Sequence, residues 1–473
     1  MTSPLPWTLE VEGLGKIQSA SIEPRPLLLL IGKNNSGKRS LASLLWGLLA
    51  TDELWMMPSQ GEAQRRCVEW AKRLIKRWRL TSDDYILTEA DWGLFSAWLD
   101  ELLEANKARF AQILFNSSEV PIQRLRLRLN PRAYRIHAEI LHWVGADAVY
   151  WSVSEEAEPI IRLIYDSYVF PKTEGREVLK ALLQALLFAP WGRVDESCVP
   201  FLPASRTGFM LTYKAVVRQQ ERKWERHREP EPSLELSLPM ESFVERLARD
   251  SSRIPGLFAA EAAFLEREAL EGRLGVSRSI RTNEFSFLPT DVAASHARVK
   301  DSLPSGLPPE QVGQPLPELP IHLSSSLVTE LAPLVFLLRY ASDLKVLVLE
   351  EPESHLHPHH QRVVAQVIAR LIRKGVSVWI TTHSENFCQQ INNFISLGTH
   401  PARAALQQEL GYTSEDYLLP EEVGAYQFQP VGPRSELRLL RTTDEGIAMP
   451  SFNEELLKLA QESQRLSEAR EES

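Results

Sequence analysis

The sequence predicts an α/β fold built around a phosphate-binding loop, and three observations predict it. The apolar run Leu27 to Leu30 leads into "IGKNNSGKRS", residues 31 to 40. That stretch nearly matches G-x-x-x-x-G-K-[ST], whose backbone N–H groups and lysine cradle phosphates. A second apolar run, Val346 to Leu349, ends in the paired carboxylates Glu350 and Glu351. A third, inside "VSVWITTHS", ends in Thr381, Thr382 and His383. Buried strands that deliver polar groups at their C-terminal ends are the places where open α/β sheets bind ligands.

Taken in order, "WTLEVEGLGKIQSASIE" alternates apolar and polar residues around a glycine turn and predicts a hairpin. "PLLLLIG" predicts a buried strand, and "SLASLLWGLLA" has helical spacing, so the loop motif lies between a strand and a helix. From Thr51 to Asp195 the chain reads as mostly helical and inserted. "RRCVEWAKRLIKRWRL", "DWGLFSAWLDELLEANKARFAQILF" and "REVLKALLQALLFAPW" are amphipathic, whereas "RLRLRL" (Arg124 to Leu129) has strand period. "SCVPFLPASRTGFM" predicts a buried strand and a turn. "RQQERKWERHREPEPS" predicts a helix ending in a proline-broken loop, followed by helices in "FVERLARD" and "LFAAEAAFLEREALEGRL". "EFSFLP" and "LPIHLSSS" predict strands flanking a Pro-rich loop. "VTELAPLVFLLRYA" and "HQRVVAQVIARLIRKG" predict helices, short strands follow from "YTSEDYLL", and the tail "FNEELLKLAQESQRLSEAREES" predicts a fraying helix.

The chain has 473 residues, 44% hydrophobic and 24% charged, with a formal net charge of -9. This composition is that of a globular protein, and the net charge does not make the whole chain a polyanion binder. Cys67, Cys198 and Cys388 are too far apart for a metal or disulfide framework. No apolar run approaches the roughly 18 residues of a spanning helix, and "MTSPLPWTLEVEG" does not read as a signal peptide. A soluble, cytoplasmic protein with no membrane contact is the expectation. Three basic stretches, "RLIKRWR", "RLRLRLNPRAYR" and "RQQERKWERHR", could meet nucleic-acid phosphates with Trp78 or Trp224 stacking on bases. Their ordinary reading is a solvated or salt-bridged face.

The candidate site residues follow from these motifs. Gly32, Lys33, Asn34, Asn35, Ser36, Gly37, Lys38, Arg39 and Ser40 form the loop and the start of its helix. The glycines let the backbone wrap a phosphate, and Lys38 reaches the β- and γ-phosphates. Neighbouring strand residues face opposite ways, so Glu350 is assigned to Mg²⁺ through its water shell and Glu351 to polarising an attacking water. His383 is placed to sense the γ-phosphate. Ser324, Ser325 and Ser326 open a helix, where hydroxyl and N–H groups bind a phosphate or simply cap the helix. "HLHPHH" (His355 to His360) suggests a metal only weakly.

"GKNNSGK", "LSSSLVTELAPL", "LVLEEPESHLHP" and "ITTHSENF", in that order, resemble the ABC-type ATPases of the OLD-like group, often grouped with AAA-family ATPases and frequent in bacterial anti-phage modules. The opening segment and "VPFLPASRTGF" are similar to that group as well. The resemblance implies an ABC-type P-loop ATPase head with a mostly helical insertion domain, using ATP and Mg²⁺. It implies head-to-tail dimerisation or higher homo-oligomerisation, with Ser324, Ser325 and Ser326 acting in trans, Glu351 as catalytic base and His383 as switch. "PESHLHP" would cross the dimer interface, and Arg206 would face the nucleotide or the partner.

The expected division is residues 1–50 and 301–450 as the two lobes of the head, 51–195 as the insertion, 196–300 returning to the head, and 451–473 as a C-terminal helix and tail. Arg39 departs from the pattern, standing where Ser or Thr binds Mg²⁺. Ser40, about 100° further around the helix, does not simply replace it. Arginine at this position could neutralise phosphate charge as a cation mimic, and slow or partner-triggered turnover is expected. No glutamine lid is identified. After His383 the only aspartates, Asp416 and Asp444, form no D-x-D pair for a Toprim nuclease, so a nuclease effector is expected on a separate chain. The leading expectation is a sensor or scaffold subunit of a defence module. A DNA-processing ATPase would need coiled-coil arms that the sequence does not show. A non-hydrolysing, ATP-held scaffold is the third reading.

Overall fold

In the computed structural model, the residues described are 7–51, 55, 61–78, 84–131, 134–143, 146–155, 158–166, 179, 187–188, 191, 196–204, 206–225, 236–249, 254–278, 282–290, 317–449, 458 and 460–466. Side chains are not described for residues 75, 78, 138–166, 219–225 and 249. The helix expected in "REVLKALLQALLFAPW" and the Pro-rich loop after Asp301 lie largely outside these residues.

The α/β class expected from the sequence is the one observed. The strands, in chain order, are β1 (Trp7–Leu14), β2 (Ile17–Ile22), β3 (Leu27–Ile31), β4 (Tyr85–Ile86), β5 (Arg124–Leu129), β6 (Tyr134–Trp143), β7 (Ala146–Glu155), β8 (Glu158–Asp166), β9 (Phe201–Leu202), β10 (Gly272–Arg278), β11 (Asn283–Pro289), β12 (Leu319–Pro320), β13 (Val346–Glu350), β14 (Ser377–Thr382), β15 (Val423–Val431), β16 (Arg434–Leu440), β17 (Thr442–Thr443) and β18 (Gly446–Ile447). The helices are α1 (Lys38–Ala50), α2 (Glu62–Trp78), α3 (Glu89–Phe115), α4 (Arg206–Glu225), α5 (Leu238–Arg249), α6 (Ala259–Leu265), α7 (Ser326–Tyr340), α8 (Pro358–Arg373), α9 (Glu385–Thr399) and α10 (Arg403–Glu409).

A nine-stranded sheet in the order β5-β1-β2-β16-β15-β3-β14-β13-β9 organises the chain. From β15 to β9 neighbouring strands are parallel. The strands β3, β13 and β14 are buried at every residue, which is why their sequences are unbroken apolar runs rather than alternating ones. Their side chains divide between two cores. Leu28, Leu30, Val346, Val348 and Trp379 meet Leu44, Leu45 and Trp46 of α1 on one face. Leu27, Leu29, Ile31, Leu347, Leu349 and Ile380 meet residues of α7, α8 and α9 on the other. Burial on both faces fixes the level at which the three strands end, and their C-terminal ends therefore gather the chemistry.

The stretch expected to be mostly helical holds α2 and α3, the latter started by a Thr88–Asp91 capping box. It also carries the antiparallel sheet β4-β6-β7-β8, in which Trp143 pairs with Ala146 and Glu155 with Glu158. Arg124–Leu129, inside the same stretch, pairs with β1 in the central sheet. The expected strand in "LPIHLSSS" is only β12, because residues Ile321–Leu323 form a 3-10 turn before the serines. After α6 the chain runs through one π-helical turn, Glu266–Leu270. Among the described residues no helix is long and apolar enough to cross a membrane.

Candidate nucleotide site

The loop between β3 and α1 has the form its glycines dictate. Gly37 caps α1 at φ 103, and Asn35 is left-handed at φ 63. A Cβ on Gly37 would stand 2.7 Å from Ile17 Cγ1, and one on Gly32 would stand 2.9 Å from Phe428 Cβ. Neither position has room for a side chain. No side chain caps α1, so the first-turn N–H groups remain directed at the loop, the arrangement that binds phosphate. Lys38 is 5% exposed and lies back along the loop, its Nζ donating to the carbonyls of Gly32 at 2.6 Å and Lys33 at 2.8 Å. Burial lowers its pKa, against the raising effect of Glu351, Glu353 and Glu350.

The carboxylates differ in setting. Glu350 ends β13 and is 2% exposed. Its Oε2 accepts from the Ala204 N–H at 3.2 Å, while its Oε1 is buried without a hydrogen-bond partner. The Arg39 Nε lies 4.0 Å from that oxygen. Burial raises the Glu350 pKa, opposed by Arg39, the Ala204 N–H and Arg206. Glu351 is past the strand, at φ 42. Its direction therefore comes from a left-handed backbone turn and not from the strand alternation expected. Such a conformation in a non-glycine residue is strained. Glu351 N–H donates to Thr381 O at 2.9 Å, its Oε2 accepts from Ser354 Oγ at 3.1 Å, and its Oε1 is 3.7 Å from His383 Nδ1.

His383 follows β14 with its ring partly exposed. A third carboxylate, Glu353, holds it in place. The Glu353 Oε1 accepts from Thr382 Oγ1 at 2.7 Å and from His383 N–H at 2.8 Å, and lies 3.4 Å from the His383 ring. Sequence reasoning missed Glu353. The signal available was the third carboxylate in "EEPE", two residues beyond the assigned base.

Arg206 overturns an expectation. It faces neither nucleotide nor partner but is 2% exposed inside the protein. Its Nη1 donates to Glu350 O at 2.6 Å and Pro203 O at 3.1 Å, and its Nη2 donates to Glu351 O at 3.0 Å. It pairs at 2.6 Å with Glu330 of α7, which is itself 0% exposed. Glu330 also accepts from Thr207 N–H and Oγ1. A guanidinium presents five donors, and the two terminal nitrogens of this one are directed at three carbonyls and one carboxylate. The helix that begins at the serines is thus joined through one side chain to the backbone of both carboxylates.

A cavity of about 1040 Å³ opens beside the loop, lined by residues 32–36, His383 and, across from them, Phe428 and the β15–β16 hairpin. Lys16, Lys33, Arg434, Arg438 and Arg441 on its wall outweigh Glu385, giving a positive field inside a chain of negative net charge. The structure thus brings residues 32–38, Glu350, Glu351 and His383 to one sheet edge. The serines are elsewhere and do not line this cavity. Ser325 caps α7, its Oγ accepting from Val328 N–H at 3.4 Å, and Ser324 Oγ donates to Pro320 O at 3.5 Å. Ser40 turns away, its Oγ 3.9 Å from where a Cβ on Gly15 would sit in the β1–β2 turn.

The residues do not fit a P-loop Mg²⁺ centre. Of the two protein groups that serve such an ion, only the carboxylate is present, and a guanidinium stands where the hydroxyl should be. Among the described residues no group of three or more His, Cys, Asp and Glu is arranged to hold a metal. The basic stretch on β5 is neutralised in place, with Arg124 on Glu12 at 3.1 Å, Arg126 on Asp100 at 2.9 Å and Arg128 on Glu10. The side chains of Trp78 and Trp224 lie outside the described residues. Asp416 is engaged by both arms of Arg370, at 2.6 and 2.9 Å.

The AAA ATPase domain family matches residues 301–388. That segment includes the serines, both carboxylates and His383 and ends in the first turn of α9. No curated protein matches the chain. The chain is distantly similar to solved heads of SMC proteins. One is an SMC head bound to the C-terminal winged-helix domain of ScpA, with 11% identity over 92% of this chain and 97% of that one and a TM-score of 0.34. The SMC head domain of Thermotoga maritima has 10% identity over 93% and 100%, with a TM-score of 0.30. The SMC head of Pyrococcus furiosus with an extended coiled coil and bound ScpA has 11% identity over 98% and 100%, with a TM-score of 0.34. Likeness at this distance assigns no residue a role.

Proposed function

We propose that the chain is an ATP-binding, slowly hydrolysing ATPase head. The observation that carries this reading is the convergence on one sheet edge of an uncapped, glycine-turned loop with Lys38, the strained carboxylate Glu351 and a His383 held by Glu353. ATP lays its phosphates along residues 32–38, and the adjoining cavity, of the size ordinary for a ligand, receives its nucleoside. Glu351 takes a proton from water as the water oxygen attacks the γ-phosphorus, and the bridging oxygen leaves on ADP. His383, beside Glu351, reads the presence of the γ-phosphate.

The serines complete the site from a second copy. Their hydrogen bonds within one chain are local, and their helix start has hydroxyls at its surface, so two heads pair head-to-tail with ATP between the loop of one and the serines of the other. γ-Phosphate contacts made only in the paired state shift the population toward it. In this reading the protein is a cytoplasmic sensor or scaffold subunit of an anti-phage module, and its assembly controls a separate effector, a nuclease on another chain. The Arg39–Glu350 approach favours a second reading, in which ATP is held without turnover as a fixed ligand of the scaffold.

Mixing two variants tests the shared site. Lys38→Ala has no working loop and Ser326→Arg obstructs the serines, so each alone should neither hydrolyse ATP nor sediment as a dimer with it. A mixture contains one intact composite site and should recover part of both. A mixture as inert as its components contradicts the shared site, and full activity of Ser326→Arg alone excludes the serines from it.

A further inference from the structure

We infer that Arg39 is the resident counter-cation of this site: its guanidinium occupies the place between Glu350 and the phosphates that a divalent metal takes in a Ser/Thr-bearing loop, so that the site binds a nucleoside triphosphate free of metal. The inference rests on the ATP reading above and says which form of the ligand that site takes.

Three observations carry it. First, Arg39 directly follows Lys38, at the position whose side chain meets the metal in the P-loop pattern, and it points at the carboxylate that would share that metal. The separation of 4.0 Å from its Nε to Glu350 Oε1 is an ion pair without a hydrogen bond, so the guanidinium donors are not committed to the carboxylate. Second, that Oε1 is buried and has no hydrogen-bond partner. A buried carboxylate oxygen without a hydrogen bond depends on nearby charge, and Arg39 is the largest such contribution to Glu350, ahead of the Ala204 N–H and Arg206. Third, Ser40, the hydroxyl that directly follows Arg39, lies against the β1–β2 turn.

The chemistry follows from these positions. The Arg39 side chain is 58% exposed although its Nε lies 4.0 Å from the buried carboxylate. A guanidinium makes paired, charge-assisted hydrogen bonds to phosphate oxygens in a fixed fork. One side chain can therefore keep its Coulombic contact with Glu350 and bond the terminal phosphates, which is what the hydrated metal does elsewhere. A divalent ion placed there would instead be repelled by the guanidinium a few ångströms away. The same substitution would account for the slow turnover proposed above, since a fixed organic cation cannot collapse onto the shifting charge of the departing phosphate as a metal does.

The test is ATP binding by calorimetry to the full chain in excess EDTA and in excess Mg²⁺, beside Arg39→Ser, with Lys38→Ala as the control for the loop and circular dichroism confirming each fold. Wild-type affinity should differ less than about threefold between the two buffers. Arg39→Ser should bind about tenfold or more weakly in EDTA, the loss of at least one charge-assisted hydrogen bond, and should recover affinity in Mg²⁺, where the new hydroxyl and Glu350 form a metal site. Wild-type binding that appears only in Mg²⁺ overturns the inference and leaves the ATP reading standing. Binding in neither buffer overturns both. Arg39→Ser that binds equally well in EDTA removes Arg39 from the role.

Discussion

Removing the Arg206 guanidinium should cost the fold several kcal/mol, and the size follows from what it leaves behind. In Arg206→Met, Glu330 stays fully buried with only the Thr207 N–H and hydroxyl to accept from. The carbonyls of Pro203 and Glu350 lose the Arg206 donor, and Glu351 O keeps only the Ser354 N–H. Breaking a buried pair by removing one partner costs about 3–5 kcal/mol, a large share of the roughly 5–15 kcal/mol that holds an ordinary domain folded. Replacing both partners is different, because an apolar pair of similar volume needs no partner. Arg206→Met with Glu330→Met should therefore cost less than the sum of the two single changes, by about 2 kcal/mol or more. Urea unfolding followed by tryptophan fluorescence measures all three variants, with a second probe such as far-ultraviolet circular dichroism to verify that the transitions coincide. A single-variant cost under about 1 kcal/mol, or a double variant whose cost equals the sum, would refute the claim that this pair is a buried, mutually dependent link between α7 and the carboxylate edge.

Other outcomes follow from the same geometry. Glu351→Gln should lower ATP turnover by at least about a hundredfold, the scale of a general base, while ATP remains bound; turnover near wild type would remove Glu351 from that role. Glu353→Gln removes the charge beside His383 while keeping an acceptor, and Glu353→Ala removes both, so turnover and thermal stability should fall further in the alanine variant; equal values for the two would mean that Glu353 does not hold His383. Stability should decline as pH rises from the ordinary glutamate range upward. The raised pKa of Glu350 means the folded chain holds its proton more tightly than the unfolded one, so the contribution is present below the unfolded pKa and lost as pH rises through the folded one. Melting temperatures of wild type and Glu350→Gln across that range check the sign: the variant should show the shallower decline, and parallel curves would contradict it.

The loop and the two strands with their carboxylates and histidine were legible because their chemistry is local. A strand, a glycine turn and a lysine must be adjacent to work, and full burial writes itself as an unbroken apolar run. Arg206 was visible only as a residue beside a strand, because its partner Glu330 is 124 positions later and nothing in either neighbourhood names the other. The direction of Glu351 was expected from strand alternation, which cannot foresee a left-handed turn. The antiparallel sheet of β6 to β8 was missed because helical spacing in the flanking segments set the expectation for the whole stretch. The serines were legible as a helix start and no more, because what they contact in the proposed pair belongs to a second copy.

The most direct test of the central claim is calorimetric titration of ATP into the purified chain and into Lys38→Ala. The account predicts stoichiometric binding by the wild type, displaced by ADP, and its loss in Lys38→Ala while the fold persists. ATP binding unchanged by Lys38→Ala, or no binding by the folded wild type in any buffer, would contradict the assignment of residues 32–38 as the phosphate grip.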